Sequence, residues 1–245
     1  MAYNFLGLVN DINRRLNEVE LTSSNFAAAT GFYSQAKDAV NASIRYMNQS
    51  EYEWPFNHVE QEDVLTVGVT RYVFPVDCKV IDFDTFRIKE DTTLGNGTVK
   101  LPIISYEEYL DKYVEQEYNS TATSQGQGVP QRVSQTPSLE YIMTPSPNKA
   151  YTVVYEYYRV PVDLILFDDV PAVPERFKHI IVDGAMHYAY LFRGNSQDAM
   201  LAKQKFDEGI KNMRIVLINR TYYLRSTMIP QNTGGGRMGF SRSVI

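Results

Sequence analysis

Two different periodicities divide this chain of 245 residues. Near both ends, apolar residues recur every three or four positions, as they do on one face of an amphipathic helix. Between about His58 and Val170 they alternate in short runs broken by glycine and proline, which is typical of strands. The periodicities therefore predict helices on both sides of a β-rich segment.

The helical patterns predict one shared core. The first two helices are expected to carry Phe5, Leu8, Ile12 and Leu16, and then Ala36, Val40, Ile44 and Met47. The last two are expected to begin near Pro174 and, with Ser196 as the cap, after Gly194-Asn195. We therefore expect an α+β fold with an antiparallel four-helix bundle, an inserted β-rich (sandwich-like) domain and an extended C-terminal arm. The expected boundaries are 1–57 for the first half of the bundle, 58–170 for the inserted domain, 171–221 for the second half and 222–245 for the arm.

Local patterns predict connections within the β-rich segment. Leu139–Met143 and Tyr151–Val160 are expected to form a hairpin across Pro145–Asn148. Ser105–Glu108 has the sequence of a capping box and is expected to open a short helix. The polar, glycine-bearing stretch Asn119–Gln131 is expected to be an exposed loop.

Charge is distributed unevenly along the chain, although the net charge is only −5. The residues from Gly209 onward include six Lys/Arg and no Asp or Glu, whereas the residues before Gly209 include 18 Lys/Arg and 29 Asp/Glu. The stretch Ser226–Ile245 has neither a helical nor a strand period, and it contains three consecutive glycines among scattered apolar residues. This composition predicts a flexible arm that becomes ordered on a partner. The residues of the arm that are expected to bind this partner are Arg225, Met228, Ile229, Arg237, Met238, Phe240, Arg242, Val244 and Ile245.

Composition excludes several classes of protein. Cys78 is the single cysteine, so no disulfide forms within the chain, and the neighbouring Lys79 would favour its thiolate. The first 20 residues mix acidic and basic side chains and do not resemble a signal peptide. No apolar run approaches about 18 residues, so we expect no membrane partner and synthesis in a cytoplasm.

Motifs for catalysis and cofactor binding are missing. The sequence has no Walker loop, dinucleotide fingerprint, GxSxG or HExxH, so we expect no enzyme, no cofactor and no metal. Asp82 and Asp84 would share one face of a strand, but turn or edge-strand aspartates are the favoured interpretation. His179, Asp183 and His187 form a stripe on one predicted helix, where a contact between subunits is favoured over a metal site. The residues expected to contact another subunit or another protein are Tyr106, Tyr109, Tyr113, His179, Asp183 and His187.

Five segments, in order, carry a family resemblance. They are Leu8–Glu18, Ala36–Ile44, Trp54–Phe56, Tyr155–Val162 and Val173–Ala185. Together with the helix–β–helix layout, they resemble the head-to-tail adaptor proteins of short-tailed bacteriophages, of the tail tubular protein A type. The resemblance implies a structural virion protein that forms a ring, commonly of twelve copies, between the capsid portal and the tail nozzle. It further implies contacts with tail fibres, and a lumen through which genomic DNA passes without specific binding.

Three alternatives remain at this stage. The first is another phage tail, nozzle or head-completion protein. The second is a metal-dependent hydrolase that uses Asp82, Asp84 and His58, which requires the three side chains to converge in one pocket. The third is a nucleic-acid-binding protein acting through the four arginines of the C-terminal segment. These are Arg220, Arg225, Arg237 and Arg242.

Overall fold

The computed structural model describes residues 3–51, 53–89, 97–123 and 126–218. Within these ranges the chain is α+β, with seven α-helices and ten strands. The helices are α1 (Phe5–Arg15), α2 (Ser23–Phe26), α3 (Phe32–Ser50), α4 (Tyr106–Lys112), α5 (Val114–Thr123), α6 (Lys178–Phe192) and α7 (Ser196–Leu217). The strands are β1 (His58–Val64), β2 (Arg71–Val73), β3 (Cys78–Lys89), β4 (Thr98–Lys100), β5 (Ile103–Ile104), β6 (Gln127–Gly128), β7 (Arg132–Gln135), β8 (Glu140–Thr144), β9 (Ser146–Pro147) and β10 (Thr152–Arg159).

The strands form two four-stranded sheets and one small pair. The first sheet has the order β1-β10-β3-β4 and the second β2-β8-β7-β5, while β6 pairs with β9. All pairings are antiparallel except β5–β7 and β6–β9. In the first sheet, residues from Glu60 to Asp63 lie opposite Glu156 to Val153.

Aromatic side chains from both sheets share one core. Phe86 of β3 stacks on Tyr155 of β10 with ring centroids 4.7 Å apart, and Tyr141 of β8 lies 5.3 Å from Phe86. The hydroxyls of Tyr141 and Tyr155 donate to the same Asp63 oxygen at 3.0 and 2.7 Å. Tyr141 and Tyr155 therefore fill the β core with their rings and satisfy their hydroxyls at its edge.

A second core joins α1, α3, α6 and α7. Trp54, which follows α3, is fully buried in it and donates its indole N–H to the Met47 carbonyl at 2.9 Å. Gly184 lets α6 approach its neighbours closely, because a Cβ there would meet the Ser43 Oγ at 2.3 Å and the Phe206 ring at 2.7 Å. None of the described helices is long and apolar enough to span a bilayer.

The predicted antiparallel four-helix bundle is wrong. The described helices range from 4 to 22 residues, are scattered along the chain and occur together with ten strands. Two of them, α4 and α5, lie inside the β-rich segment. Periodicity identifies an apolar helix face correctly, but it does not identify the surface that covers this face.

Three local predictions are also wrong, and one is confirmed. β8 and β10 do not form a hairpin, because they belong to different sheets. The stretch Asn119–Gln131 is not an exposed loop, because α5 continues to Thr123 and Ser120 is buried with its Oγ 2.7 Å from the Ser146 Oγ. The side chain that caps α7 belongs to Asn195 and not to Ser196. The predicted cap of α4 is confirmed, since Ser105 accepts from the Glu108 N–H at 3.1 Å.

Candidate assembly surfaces

The connection between β10 and the last helices is held in one conformation by hydrogen bonds. We call residues 161–170 the apolar loop. The Asn41 side chain both accepts from the Leu164 N–H and donates to the Leu164 carbonyl, each at 3.0 Å. One Asp169 oxygen accepts from the N–H groups of Ile165 and Leu166 at 2.6 and 2.7 Å. The loop is thus fixed by its own aspartate and by α3.

The start of α1 and an ion pair hold the same loop. Phe5 and Leu6 donate their N–H groups to the carbonyls of Asp169 and Phe167 at 2.8 and 3.0 Å. Arg45 of α3 binds the Asp163 carboxylate with two hydrogen bonds of 2.8 and 2.6 Å. These hydrogen bonds, with the charge of Arg45, lower the pKa of Asp163.

This well-held loop exposes its large apolar side chains. Ile165, Leu166 and Phe167 are 74%, 61% and 39% exposed, whereas Leu164 is buried. An exposed apolar group on a rigid backbone loses little conformational freedom when it binds a partner. The loop therefore has the properties of a docking element.

A second apolar surface lies on the outer side of α7. Met200 and Leu201 are 74% and 57% exposed, and they line a shallow groove of about 680 Å³. Gln204, Asp207 and Lys211 continue the groove along the helix. We call this surface the α7 groove. Its flexible methionine suits contact with an irregular apolar partner.

The C-terminal end of α7 and the start of β3 both bind the C-terminal end of α3, next to the buried Glu51. Arg214 donates to the Ser50 carbonyl at 2.8 Å, and its Nε lies 3.0 Å from an oxygen of Glu51, which is only 6% exposed. Lys79 of β3 donates to the Glu51 carbonyl at 3.1 Å and also to the Asn48 carbonyl. Burial lowers the pKa of Lys79, although Glu51 opposes this effect. The junction holds the last turn of α7 against the end of α3.

The three predicted contact tyrosines differ in accessibility. Tyr109 is fully buried and donates its hydroxyl to Glu117, so it supports the fold and offers no surface to a partner. Burial disfavours the charged form of Glu117, but hydrogen bonds from Arg71 and Tyr109 outweigh burial and lower its pKa. Tyr106 and Tyr113 are half-buried, and Tyr113 accepts from Arg132 at 2.6 Å.

The predicted polar stripe on α6 is dispersed among separate contacts. His179 is exposed, Asp183 pairs with Arg15 at 2.7 Å, and His187 Nδ1 lies 2.9 Å from the Ala199 carbonyl. In the part of the chain that the structure describes, no group of three or more His, Cys, Asp or Glu residues could hold a metal ion. Asp183 and His187 therefore take part in contacts between helices, and the contact of this stripe with another subunit stays a prediction.

The residues of the hydrolase alternative lie on an open sheet face. Asp82 is the cross-strand partner of Glu156, whose carboxylate lies 2.9 Å from His58 Nε2. Asp84 is 81% exposed, and the Asp82 side chain accepts from the Asp84 N–H at 3.0 Å, as an aspartate does in a turn. These side chains are not enclosed in one pocket, as the alternative requires.

The sequence-based prediction for the single cysteine is also wrong. Burial, reinforced by Asp77, raises the pKa of the Cys78 thiol to about 11 instead of lowering it. Lys79, which was expected to favour the thiolate, is directed to the carbonyls of Asn48 and Glu51.

The predicted arm, 222–245, lies outside the described residues, as do its nine proposed binding residues. The same holds for Arg220 of the nucleic-acid-binding alternative. The arm and its contacts therefore stay a prediction.

Comparison with known families favours the structural interpretation. The family model described as SU10 adaptor protein matches residues 3–230. The chain belongs to the SU10 adaptor protein family. The match covers nearly the whole chain, both cores included, and confirms the resemblance to phage head-tail adaptors. A comparison with curated proteins gives no significant match.

Membership of the adaptor family implies a structural role in a phage virion and not a catalytic one. Sequence reasoning missed the two apolar surfaces of this adaptor. The apolar loop was assigned to the end of the β-rich segment, although its apolar run after Pro161 has no strand alternation. That irregular run, broken by three aspartates, was the signal that could have identified it.

Proposed function

We propose that this adaptor forms a ring of twelve copies that joins the capsid portal to the tail nozzle and lets genomic DNA pass. The match of the adaptor family model over residues 3–230 carries the proposal. The fold is compatible with this role, since it presents ordered apolar surfaces at the apolar loop and the α7 groove. Such surfaces are expected in a protein that assembles with copies of itself or with other virion proteins.

A negative lumen would suit the passage of DNA. On the exposed face of the first sheet, Glu60, Glu156 and Asp82 lie in one row across three adjacent strands. Like charges in such a row repel each other and reduce the stability of the sheet. The row is therefore better explained by a function of this surface than by a contribution to folding. We propose that this face lies near the lumen, where carboxylates keep the phosphate backbone from binding.

The C-terminal segment is the proposed attachment to the portal. Its last 27 residues contain four arginines and no acidic residue. The segment follows α7, whose last turn is held by the contact of Arg214 with Glu51. Several such arms on one portal ring would give strong attachment from individually weak contacts.

The test is the mass of the purified chain, alone and after mixing with the portal of the same virus. The matched variant is truncated after Tyr223, which leaves α7 and its junction complete. The full chain should join the portal as a ring, and the truncated chain should stay folded but unattached. Changing Arg237 and Arg242 to Glu should weaken attachment, whereas changing both to Lys should preserve most of it.

Two outcomes would contradict the proposal. If the full chain does not bind the portal, the protein is a different tail component. If the truncated chain binds the portal as well as the full chain does, the arm is not needed for attachment. Binding of duplex DNA that falls steeply with salt would instead favour a nucleic-acid-binding role for the four arginines.

A further inference from the structure

The apolar loop and the α7 groove are oriented toward different sides of the chain. Arg45, which holds the loop through Asp163, is followed on α3 by Tyr46, whose ring lies 5.4 Å from that of Phe206 on α7. Consecutive side chains on an α-helix diverge by about 100°. The loop and α7 therefore pack on different sides of α3, and neither surface covers the other within one chain.

The two surfaces are both apolar and accessible. The loop has Ile165 and Leu166 at 74% and 61% exposure, and the α7 surface is a groove lined by Met200 and Leu201. Asp168 of the loop and Lys211 of the groove are both exposed, and neither has an ion-pair partner among the described residues. The two carboxylates of the groove, Asp207 and Glu208, accept hydrogen bonds from Tyr46 and Gln204 of the same chain. Pairing of Asp168 with Lys211 beside an apolar contact would favour a defined register.

We propose that the apolar loop of one protomer binds the α7 groove of the next protomer. Since the two surfaces differ and face different directions, the contact is head-to-tail, and repetition closes it into a ring when the rotation between protomers permits. The inference rests on the proposed ring, and it names the contact that holds neighbouring protomers together. Leu166 inserts beside Met200, and Asp168 pairs with Lys211.

The first experiment compares the self-association of four full-length chains by sedimentation equilibrium. Leu166→Asp blocks the loop, and Met200→Asp blocks the groove. Val64→Asp is the matched control, because Val64 is 67% exposed and pairs with Thr152, at the end of β10 opposite the one that leads into the loop. All three positions are exposed, so the variants should fold, and this is checked by the fluorescence of the single, buried Trp54. Association of the loop and groove variants should weaken at least tenfold, and that of the control should match the wild type.

The second experiment mixes the two blocked variants. Each retains one working half of the contact, namely the groove in Leu166→Asp and the loop in Met200→Asp. The mixture should therefore form one-to-one pairs of twice the 28.1 kDa chain mass and nothing larger. A symmetric contact between two identical surfaces would not produce this pattern.

Each remaining outcome overturns the inference. These outcomes are a wild type that stays at 28.1 kDa at its highest soluble concentration, blocked variants that associate like the wild type, and a mixture without pairs.

The portal experiment keeps the two proposals distinguishable. If both blocked variants still form a ring on the portal, the connector role stands and this contact is wrong. If the wild type associates but ignores the portal, the contact stands and the connector role is wrong.

Discussion

Replacing Gly184 with alanine tests whether the close approach of α6 to α3 and α7 holds the helical core together. A Cβ at this position would lie 2.3 Å from the Ser43 Oγ and 2.7 Å from two atoms of the Phe206 ring. Alanine by itself favours a helix by about 1 kcal/mol over glycine. Overpacking of a core costs about 1–3 kcal/mol, and displacement of Ser43 also weakens its 2.9 Å hydrogen bond to the Ile181 carbonyl, worth about 1 kcal/mol. The net expectation is a loss of about 1–3 kcal/mol in the free energy of unfolding.

Urea unfolding followed by Trp54 fluorescence measures this loss, since the single tryptophan is buried in the same core. With a slope of about 2–3 kcal/mol per molar urea, the midpoint should fall by roughly 1 M. Gly209→Ala is the matched control in α7, where the three atoms nearest to the new Cβ all belong to the Ile180 side chain, the first at 3.0 Å, and we expect a smaller change. Adding Ser43→Ala to Gly184→Ala should cost less than the sum of the single effects. If Gly184→Ala unfolds at or above the wild-type midpoint, the close approach does not limit the packing of this core.

Three further predictions concern other parts of the molecule. Arg214→Met should lower the free energy of unfolding by about 1–3 kcal/mol in urea titrations, because it removes a half-exposed cation from the buried Glu51 carboxylate. The control Ile215→Ala changes an exposed neighbour and should have little effect. Because the pKa of Cys78 is raised to about 11, its reaction with a disulfide reagent at pH 8 should be about 100-fold slower than that of free cysteine. The rate should rise about tenfold for each added pH unit, and a rate that levels off near pH 8.5 would contradict this. The pKa of Asp163 is lowered, so its pairing with Arg45 stabilises the fold above the ordinary aspartate pKa, and this contribution is lost as the pH falls through the lowered value. Wild type and Asp163→Asn should therefore differ in urea midpoint at pH 7 and converge at about pH 2.

Local signals in the sequence predict the positions of elements well. The spacing of Phe5, Leu8 and Ile12 places all three in the core on one face of α1, and Ser105 caps α4 as its sequence indicates. These features depend on residues within a turn or two of each other. Information of this kind is present in the order of residues, and no distant contact is needed to read it.

Features that depend on distant residues could not be predicted. Alternation identifies β8 and β10 as strands, but their partners lie in two different sheets. Ser120 is polar, yet its hydroxyl is satisfied inside the fold by Ser146. The apolar loop is fixed by Asn41 from α3, more than 100 residues earlier, which no local pattern reveals. The family resemblance gave the role, whereas the surfaces required the structure.

The position of β10 between β1 and β3 determines the order in which the new chain can fold. β1 has to wait for residues 152–159 to be synthesised before it has a partner. Every strand is then complete, while α1 and α3 still lack α6, which begins at Lys178. At a synthesis rate of about 5–20 residues per second, α3 leaves its apolar face uncovered for on the order of ten seconds. The β-rich segment can therefore fold on the ribosome first, and chaperones that act on this protein would meet the exposed faces of its first helices.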